Sequence, residues 1–574
     1  MDAIIERNVE TPMRDGVILR ADVYRPATDE PVPVLLVRTP YNKDMAVNVL
    51  VLMAVDRGYA VVIQDTRGRW ASDGDGRPFI HEKADGYDTV RWAAAQPWSN
   101  GRVGMLGGSY VGYTQYAAAA FQPPALRAIA PAVTFLEPHT AVFRNGVPTL
   151  GLLVSWGLSA QAQMAIMRLP DGPEKAQLME ALIEAVDGLS GGETFRHLPL
   201  ETMPLIGRDG VCAFLYDMLR HTSPSRPYWQ QIRVAPDEIR IPTLHIGGWY
   251  DIFTTQTFRD FGAIAEAARQ AGRTAPQMLL VGPWYHGPLS NPVGEVDFGF
   301  RASDAYVLSN ELQLRWFDAW LKDEREAVAD LPPLRIFVMG ENRWRDEETW
   351  PLARMRPTPY YFHSGGGANT LHGDGTLSPQ APSEEPVDSF VYDPRNPTPT
   401  RGGGLCCWHM GVLAPGAFDQ REVEARPDVL VYTTPPLEAD LEVTGPVEVH
   451  LWAATTAPDT DFTAKLVDVG PCGFARNVAN GIVRARYRHG IDHEELVKPN
   501  TVVHYVIALN PTSNVFKAGH RIRVEIASSD FPAYARNPNT GGSILSETRL
   551  QPAVQTILHD ADHPSHIVLP VIPR

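Results

Sequence analysis

The nine residues Gly104-Met105-Leu106-Gly107-Gly108-Ser109-Tyr110-Val111-Gly112 constrain this 574-residue chain more than any other segment. A β-rich run at 102–106 passes through two glycines and a serine into the small-residue helical pattern 110–121 with no connecting loop. A strand that turns so abruptly into a helix belongs to a largely parallel sheet with helices on its faces, and it leaves the side chain at the turn exposed. Small neighbours are needed because the backbone there adopts conformations that a Cβ resists. The usual form of such a turn is G-x-S-x-G, and here the second glycine stands one place later, at 112. A glycine-flanked serine alone reads as a plain turn. The strand before it and the helix after it make Ser109 a candidate nucleophile, with the Tyr110 N–H placed to meet its oxyanion.

The first third of the chain alternates strands and helices in the same rhythm. Residues 11–24 read as a hairpin turning at Asp15-Gly16. Pro33-Val34-Leu35-Leu36-Val37 is a buried strand ending at Arg38-Thr39-Pro40-Tyr41, and 59–64 is the next, ending at Asp65. A helix follows at 86–96 and another strand at 126–130. From 145 to 240 helical patterns take over, notably 152–167 and 173–186, which reads as an inserted cap. The βα rhythm returns with a strand at 243–246, a helix near 254–270, a strand at 277–281 and a long helix near 303–322. After a strand-like 334–339 and a turn-rich 341–358, short runs at 447–452, 462–469, 482–487, 502–507, 522–526 and 567–571 suggest an antiparallel jelly-roll sandwich. The expected organisation is an α/β core in two parts, 1–144 and 241–352, a helical cap at 145–240, and an all-β jelly-roll domain at 353–574.

A serine nucleophile needs a base, and the base needs an acid to fix its tautomer. In α/β-hydrolases these follow in the order Ser, Asp or Glu, His, on loops after later strands. Asp251 stands in Gly247-Gly248-Trp249-Tyr250-Asp251, just past the strand at 243–246. His286 stands in Gly282-Pro283-Trp284-Tyr285-His286-Gly287, just past the strand at 277–281. Order and placement both agree. Among the 17 histidines, His245 lies inside a strand and reads as packing, while His81, His139 and His221 lack the strand–loop context. Asp65 also ends a strand, but it precedes the serine, and Asp65-Thr66-Arg67-Gly68 suggests an ion pair that ties down a loop. Tyr41 ends the first buried strand, where it either packs or donates its phenol to an oxyanion.

Arg38-Thr39-Pro40-Tyr41, the run 58–68 (GYAVVIQDTRG), Gly107 to Gly112, Gly248-Trp249-Tyr250-Asp251 and Gly282-Pro283-Trp284-Tyr285-His286 together resemble the cocaine esterase family. This is the CocE/NonD group of hydrolases, related to X-Pro dipeptidyl-peptidases and α-amino acid ester hydrolases. The resemblance continues through 461–469, Ser528-Ser529-Asp530-Phe531-Pro532 and 563–570, so it spans nearly the whole chain. It implies an α/β-hydrolase core with an inserted cap and a jelly roll. It further implies Ser109, Asp251 and His286 as a triad, an oxyanion hole from the Tyr41 hydroxyl and the Tyr110 N–H, and no cofactor. Relatives that bind an α-amino group carry acidic residues just after the triad aspartate. Ile252-Phe253-Thr254-Thr255 stand here instead, which disfavours amino-acid esters and X-Pro peptides. By the same resemblance the acyl pocket falls on Trp156, Phe253, Cys407 and Trp408, aromatic walls that suit an aromatic or bulky apolar acyl group. Trp156 reads equally as packing between cap helices.

Composition narrows partners and compartment. A net charge of −16 repels nucleic acid and anionic membranes, and no run is expected to reach the length of a membrane-spanning helix. Four cysteines, two adjacent at Cys406 and Cys407, make neither a disulfide framework nor a zinc site, so no metal is expected and a reducing, cytoplasmic location fits. The expectation is a serine esterase acting on a small-molecule ester, in a possible homodimer. An acylase or exopeptidase cutting amides with the same triad is the alternative, and a glycan-binding protein on an inactive frame is the non-enzyme alternative.

Overall fold

The computed structural model describes residues 2–573. Ten strands form one sheet, running from the edge strand Ala3–Pro12 through Ile18–Pro26, Ala60–Asp65, Val32–Thr39, Ser99–Gly108, Leu126–Ala132, Thr243–Tyr250, Gln277–Tyr285 and Leu334–Val338 to Arg343–Glu347. Neighbours from Ala60–Asp65 to Leu334–Val338 are parallel, and the strands at both ends are antiparallel. Strands covered on both faces must be apolar throughout, which is why Val34-Leu35-Leu36 and Val61-Val62-Ile63 read as unbroken runs. Alternate residues serve opposite faces. Val34 and Leu36 pack with Tyr113 and Tyr116 of the helix Tyr110–Ala120. Leu35 and Val37 pack with Leu50 and Val51 of Val49–Asp56 and with Trp316 and Phe317 of Ser309–Leu321.

Between Leu126–Ala132 and Thr243–Tyr250 the chain is mainly helical, with Leu150–Trp156, a π-helical turn Gly157–Ala162, Gln163–Met167, Pro173–Gly191, Phe214–Leu219 and Pro227–Ile232. The run Leu150–Met167 is long and apolar enough to cross a membrane by length and composition, contrary to the sequence expectation; 67% of it is buried inside the protein. The helix expected near 303–322 is two, Asp304–Val307 and Ser309–Leu321, because Leu308 takes a left-handed φ of 54° between them. The segment 341–358 is not merely turns: Arg343–Glu347 pairs antiparallel with Leu334–Val338 and closes the sheet edge. Charged residues on such an edge discourage further pairing.

The last part of the chain is β-rich. Thirteen strands share one hydrogen-bonded network, nearly all antiparallel, around a core that brings together Val449, Leu451, Phe462, Leu466, Val524, Ile526, Ile567 and Leu569. Strands Arg356–His363, Thr376–Ser378, Asp388–Tyr392, Leu430–Thr433, Leu441–Gly445, Thr512–Phe516 and Ala553–Leu558 add to those that the sequence runs mark.

Candidate active site

Four parallel strands deliver the candidate residues to one edge of the sheet. Ser109 directly follows Ser99–Gly108, Tyr41 lies two places after Val32–Thr39, Asp251 follows Thr243–Tyr250 and His286 follows Gln277–Tyr285. These are carboxyl ends, outside which ligands bind in open α/β sheets.

Ser109 has φ 58° and ψ −126°, a conformation that costs energy for a residue with a Cβ and is held from both sides. Its N–H donates to the Ala132 carbonyl at 2.9 Å, and its own carbonyl accepts the Thr134 hydroxyl at 2.7 Å. The two glycines have steric reasons. A Cβ on Gly107, itself at φ 130°, would stand 2.3 Å from Val111 Cγ1, and one on Gly112 would stand 2.7 Å from Thr134. The close approach of Thr134 explains why the second glycine is at 112.

Asp251 is fully buried, and each carboxylate oxygen has a partner. Oδ2 lies 2.6 Å from His286 Nδ1, and Oδ1 accepts the Phe253 N–H at 2.7 Å. This fixes the proton on Nδ1 and leaves Nε2 as the basic nitrogen. No hydrogen bond joins Ser109 to His286 among the described residues; the serine hydroxyl faces that of Tyr41. Catalytic hydrogen bonds in unliganded sites are often long. Phe253 connects the two, lining the Ser109 cavity and meeting the His286 ring edge-on at 5.2 Å.

Tyr41 is 38% exposed, yet its hydroxyl sits between Ser109 and the Trp156 indole, whose Nε1 donates to it at 3.1 Å. Burial of that hydroxyl pushes the phenol up to about 12, so it stays a proton donor at neutral pH. Tyr110 heads its helix, where the first N–H groups have no intrahelical partner. Its phenol donates to Glu82 Oε1 at 2.9 Å and accepts the Phe79 N–H at 2.8 Å, while Arg38 holds the other Glu82 oxygen at 2.7 Å. Burial first, then the Glu82 charge, raises this phenol far above its ordinary range.

Over Ser109 lies a cavity of about 40 Å³, walled by Tyr41, Phe79, Tyr110, Phe135, Trp156, Phe214, Met218, Phe253, Cys407 and aliphatic residues of the cap. Among the described residues no carboxylate, ammonium or guanidinium lines it. A loop of the β-rich domain closes the side. Gly404 passes so near the Asp251 backbone that a Cβ would stand 2.9 Å from its carbonyl oxygen, and the Cys406 carbonyl accepts the Ser155 hydroxyl at 3.3 Å. Cys406 and Cys407 are joined to each other, a pairing the sequence reading did not foresee. His409 meets the Tyr285 ring edge-on at 5.3 Å and hydrogen-bonds the His286 backbone. Burial, and then the His286 charge, lower the His409 pKa.

Trp156, Phe253 and Cys407 thus stand on the cavity wall. Trp408 does not: its indole donates to Ser190 Oγ of the cap at 2.8 Å. Asp65 makes no ion pair with Arg67, which binds Asp15 and Asp85 instead. It accepts the backbone N–H groups of Lys43 and Ala71, and burial raises its pKa to about 6. His245 is packed between Tyr116 and Gln277, with burial holding it down at about 4. Among the described residues no group of three or more His, Cys, Asp or Glu could hold a metal ion.

Residues 15–288 match the X-Pro dipeptidyl-peptidase (S15) family, and 326–568 match the X-Pro dipeptidyl-peptidase C-terminal non-catalytic domain. The chain is 39% identical to the cocaine esterase of Rhodococcus sp. (strain MB1 Bresler), covering 99% of each. It belongs to the CocE/NonD hydrolases of the S15 family. An α-amino acid ester hydrolase superposes with a TM-score of 0.80 at 25% identity, covering 99% of this chain and 97% of that one. An aminopeptidase from a marine-sediment Thaumarchaeota archaeon gives 0.81 at 25%, covering 100% and 97%. The fold of this CocE/NonD hydrolase is accordingly an α/β-hydrolase with a β-rich carboxy-terminal domain. Sequence reasoning missed Phe79, Phe135, Phe214, Met218 and His409 around its site. All five come from loops or the cap, where neither strand ends nor spacing marks them.

Proposed function

We propose that this hydrolase, a serine carboxylic ester hydrolase by its relatives, uses Ser109, His286 and Asp251 to cleave esters with a bulky or aromatic acyl group. The observation that carries the reading is the Asp251–His286 pair at 2.6 Å, with buried Asp251, on the same sheet edge as a strained Ser109 that faces an uncharged aromatic cavity. His286 Nε2 takes the serine proton as Oγ attacks the ester carbonyl. The Tyr41 hydroxyl and Tyr110 N–H hold the oxyanion, and its collapse expels the alcohol with the proton from His286. Water, deprotonated by the same imidazole, then attacks the acyl-enzyme and releases the acid. The carboxy-terminal domain, which we read as a jelly roll, contributes the wall at Cys407.

An α-ammonium group would find no carboxylate in this cavity, so peptides and amino-acid esters with free amino termini are poor fits. At about 40 Å³ the cavity is tight, and Met218, unbranched and adaptable, is the wall that can yield to a ring. The test is a series of nitrophenyl acetate, butyrate and benzoate, with the matching anilides and Ser109→Ala as control. The benzoate ester should give the highest kcat/KM. A benzoate rate below the acetate rate overturns the acyl assignment, and faster anilides overturn ester preference. More than a few per cent activity in Ser109→Ala overturns the nucleophile.

A further inference from the structure

Arg69 is 5% exposed and has no carboxylate within ion-pair distance among the described residues. Its guanidinium donates to the carbonyls of Gly76 at 2.6 Å and Ala160 at 3.3 Å and to the side-chain oxygen of Gln161. Glu82, a carboxylate whose charge reaches it, is engaged by Arg38 and Tyr110. A buried cation without a countercharge is costly to fold, so packing alone is a poor reason for it. Its acceptors point to another. Ala160 and Gln161 lie in the π-helical turn Gly157–Ala162, which starts directly after Trp156, and such turns interrupt regular helices mostly at functional sites.

The next residue completes a circuit. Trp70, at a left-handed φ of 45°, donates from Nε1 to the carbonyl of Pro40 at 3.1 Å, and Pro40 precedes Tyr41. Trp156 in turn donates to the Tyr41 hydroxyl. Chain bonds and hydrogen bonds therefore run from Tyr41 through Trp156 to the π-turn, across Arg69 to Trp70, and back through Pro40 to Tyr41. The backbone and the hydroxyl of Tyr41 are held from opposite sides, and both holds meet at Arg69-Trp70. We propose that Arg69 is a positioning residue of the ester-hydrolysis site, locking the cap turn and the Tyr41 segment together so that the Tyr41 hydroxyl stands where the oxyanion forms. This rests on the reading of Tyr41 as oxyanion donor. The Arg69 charge also opposes the rise that burial imposes on the Tyr41 phenol, the same sense in which it favours negative charge beside that hydroxyl.

The experiment compares Tyr41→Phe, Arg69→Met and the double variant by kcat, KM and the affinity of phenylboronic acid, which forms a tetrahedral anion on the serine. Tyr41→Phe should lose about 10²-fold in kcat. Arg69→Met should lose roughly 10-fold or more in kcat and in boronate affinity with KM nearly unchanged, since its effect is on the transition state. The double variant should be no worse than Tyr41→Phe by more than about 3-fold, because Arg69 acts through the hydroxyl already removed. Multiplying losses, or a loss confined to KM, overturn the proposal. A normal rate in Tyr41→Phe overturns the oxyanion reading beneath it; a normal rate in Arg69→Met alone overturns only this inference. Should Arg69→Met not fold, Arg69→Lys and Gln161→Leu replace it, with the same kcat loss and the same disappearance in the Tyr41→Phe background expected. Full activity in both replacements counts against the proposal.

Discussion

Replacing Asp251 by asparagine changes one atom, and the structure says which way the amide must face. The Phe253 N–H needs an acceptor at 2.7 Å, so the amide oxygen turns toward it and the NH₂ group is left against His286 Nδ1. An N–H facing Nδ1 demands a lone pair there, which moves the imidazole proton to Nε2. The base then carries a proton on the nitrogen that must accept one. Asp251 is fully buried, and its surroundings hold both carboxylate oxygens in place. Catalysis should therefore fall by about 10⁴, or about 5.5 kcal/mol of barrier, the size seen when a triad base is held in the wrong tautomer. Asp251→Ala frees the imidazole to choose its tautomer, so it should be no worse than Asp251→Asn despite removing more. The assay is kcat/KM on an activated aromatic ester, with melting temperature as the fold control. An Asp251→Asn enzyme that folds and keeps more than a tenth of its activity would refute the reasoning, as would Asp251→Ala falling well below it.

Other expectations follow from the same geometry. Trp156→Leu removes a cavity wall and the 3.1 Å donor to Tyr41 together, so relative preference should shift to bulkier acyl groups while kcat drops about 10-fold across the ester series; an unchanged acyl profile would move Trp156 out of the pocket. In the β-rich domain, buried His559 lies 2.9 Å from Asp388 and 3.2 Å from Glu385. Burial works against the His559 charge, but Asp388 and Glu385 outweigh it and raise the pKa. Asp388 is lowered despite burial, chiefly by its bond to His559. The His559 contribution is full below its unfolded pKa and lost as pH rises through the raised folded value; that of Asp388 is present above its unfolded pKa and lost as pH falls through the depressed one. Melting curves of His559→Gln against the parent should differ most between about pH 4 and 6.5 and converge as the pH rises. A gap that widens with pH contradicts this pairing.

How much of the molecule is legible in the sequence depends on what holds each part. The helix Thr254–Gln270 and the strands Val32–Thr39, Thr243–Tyr250 and Gln277–Tyr285 are written in their own apolar spacing, and so are the positions of Ser109, Asp251 and His286 at strand ends. Arg343–Glu347 is not, because its sequence Arg-Trp-Arg-Asp-Glu becomes a strand only through pairing with Leu334–Val338. Leu308 and the π-turn at Gly157–Ala162 are likewise set by neighbours. The Asp65 expectation failed for a related reason: the arginine two places on finds Asp15 and Asp85, distant in sequence, and two backbone N–H groups occupy Asp65. Spacing identifies which residues reach the active edge. It does not identify the cap and loop residues that shape the space above it.

The loop from Gly404 to His409 leaves the ribosome after Ser109, Asp251 and His286, all of which precede it in the chain. The Cys407 wall of the cavity and the His409 contact behind His286 are absent from any nascent chain shorter than these positions. The catalytic sheet can thus form early and still lack a finished substrate chamber. A chain broken off between the two domains would therefore carry the triad positions without the Cys407 wall, and should lose acyl selection before it loses the catalytic residues.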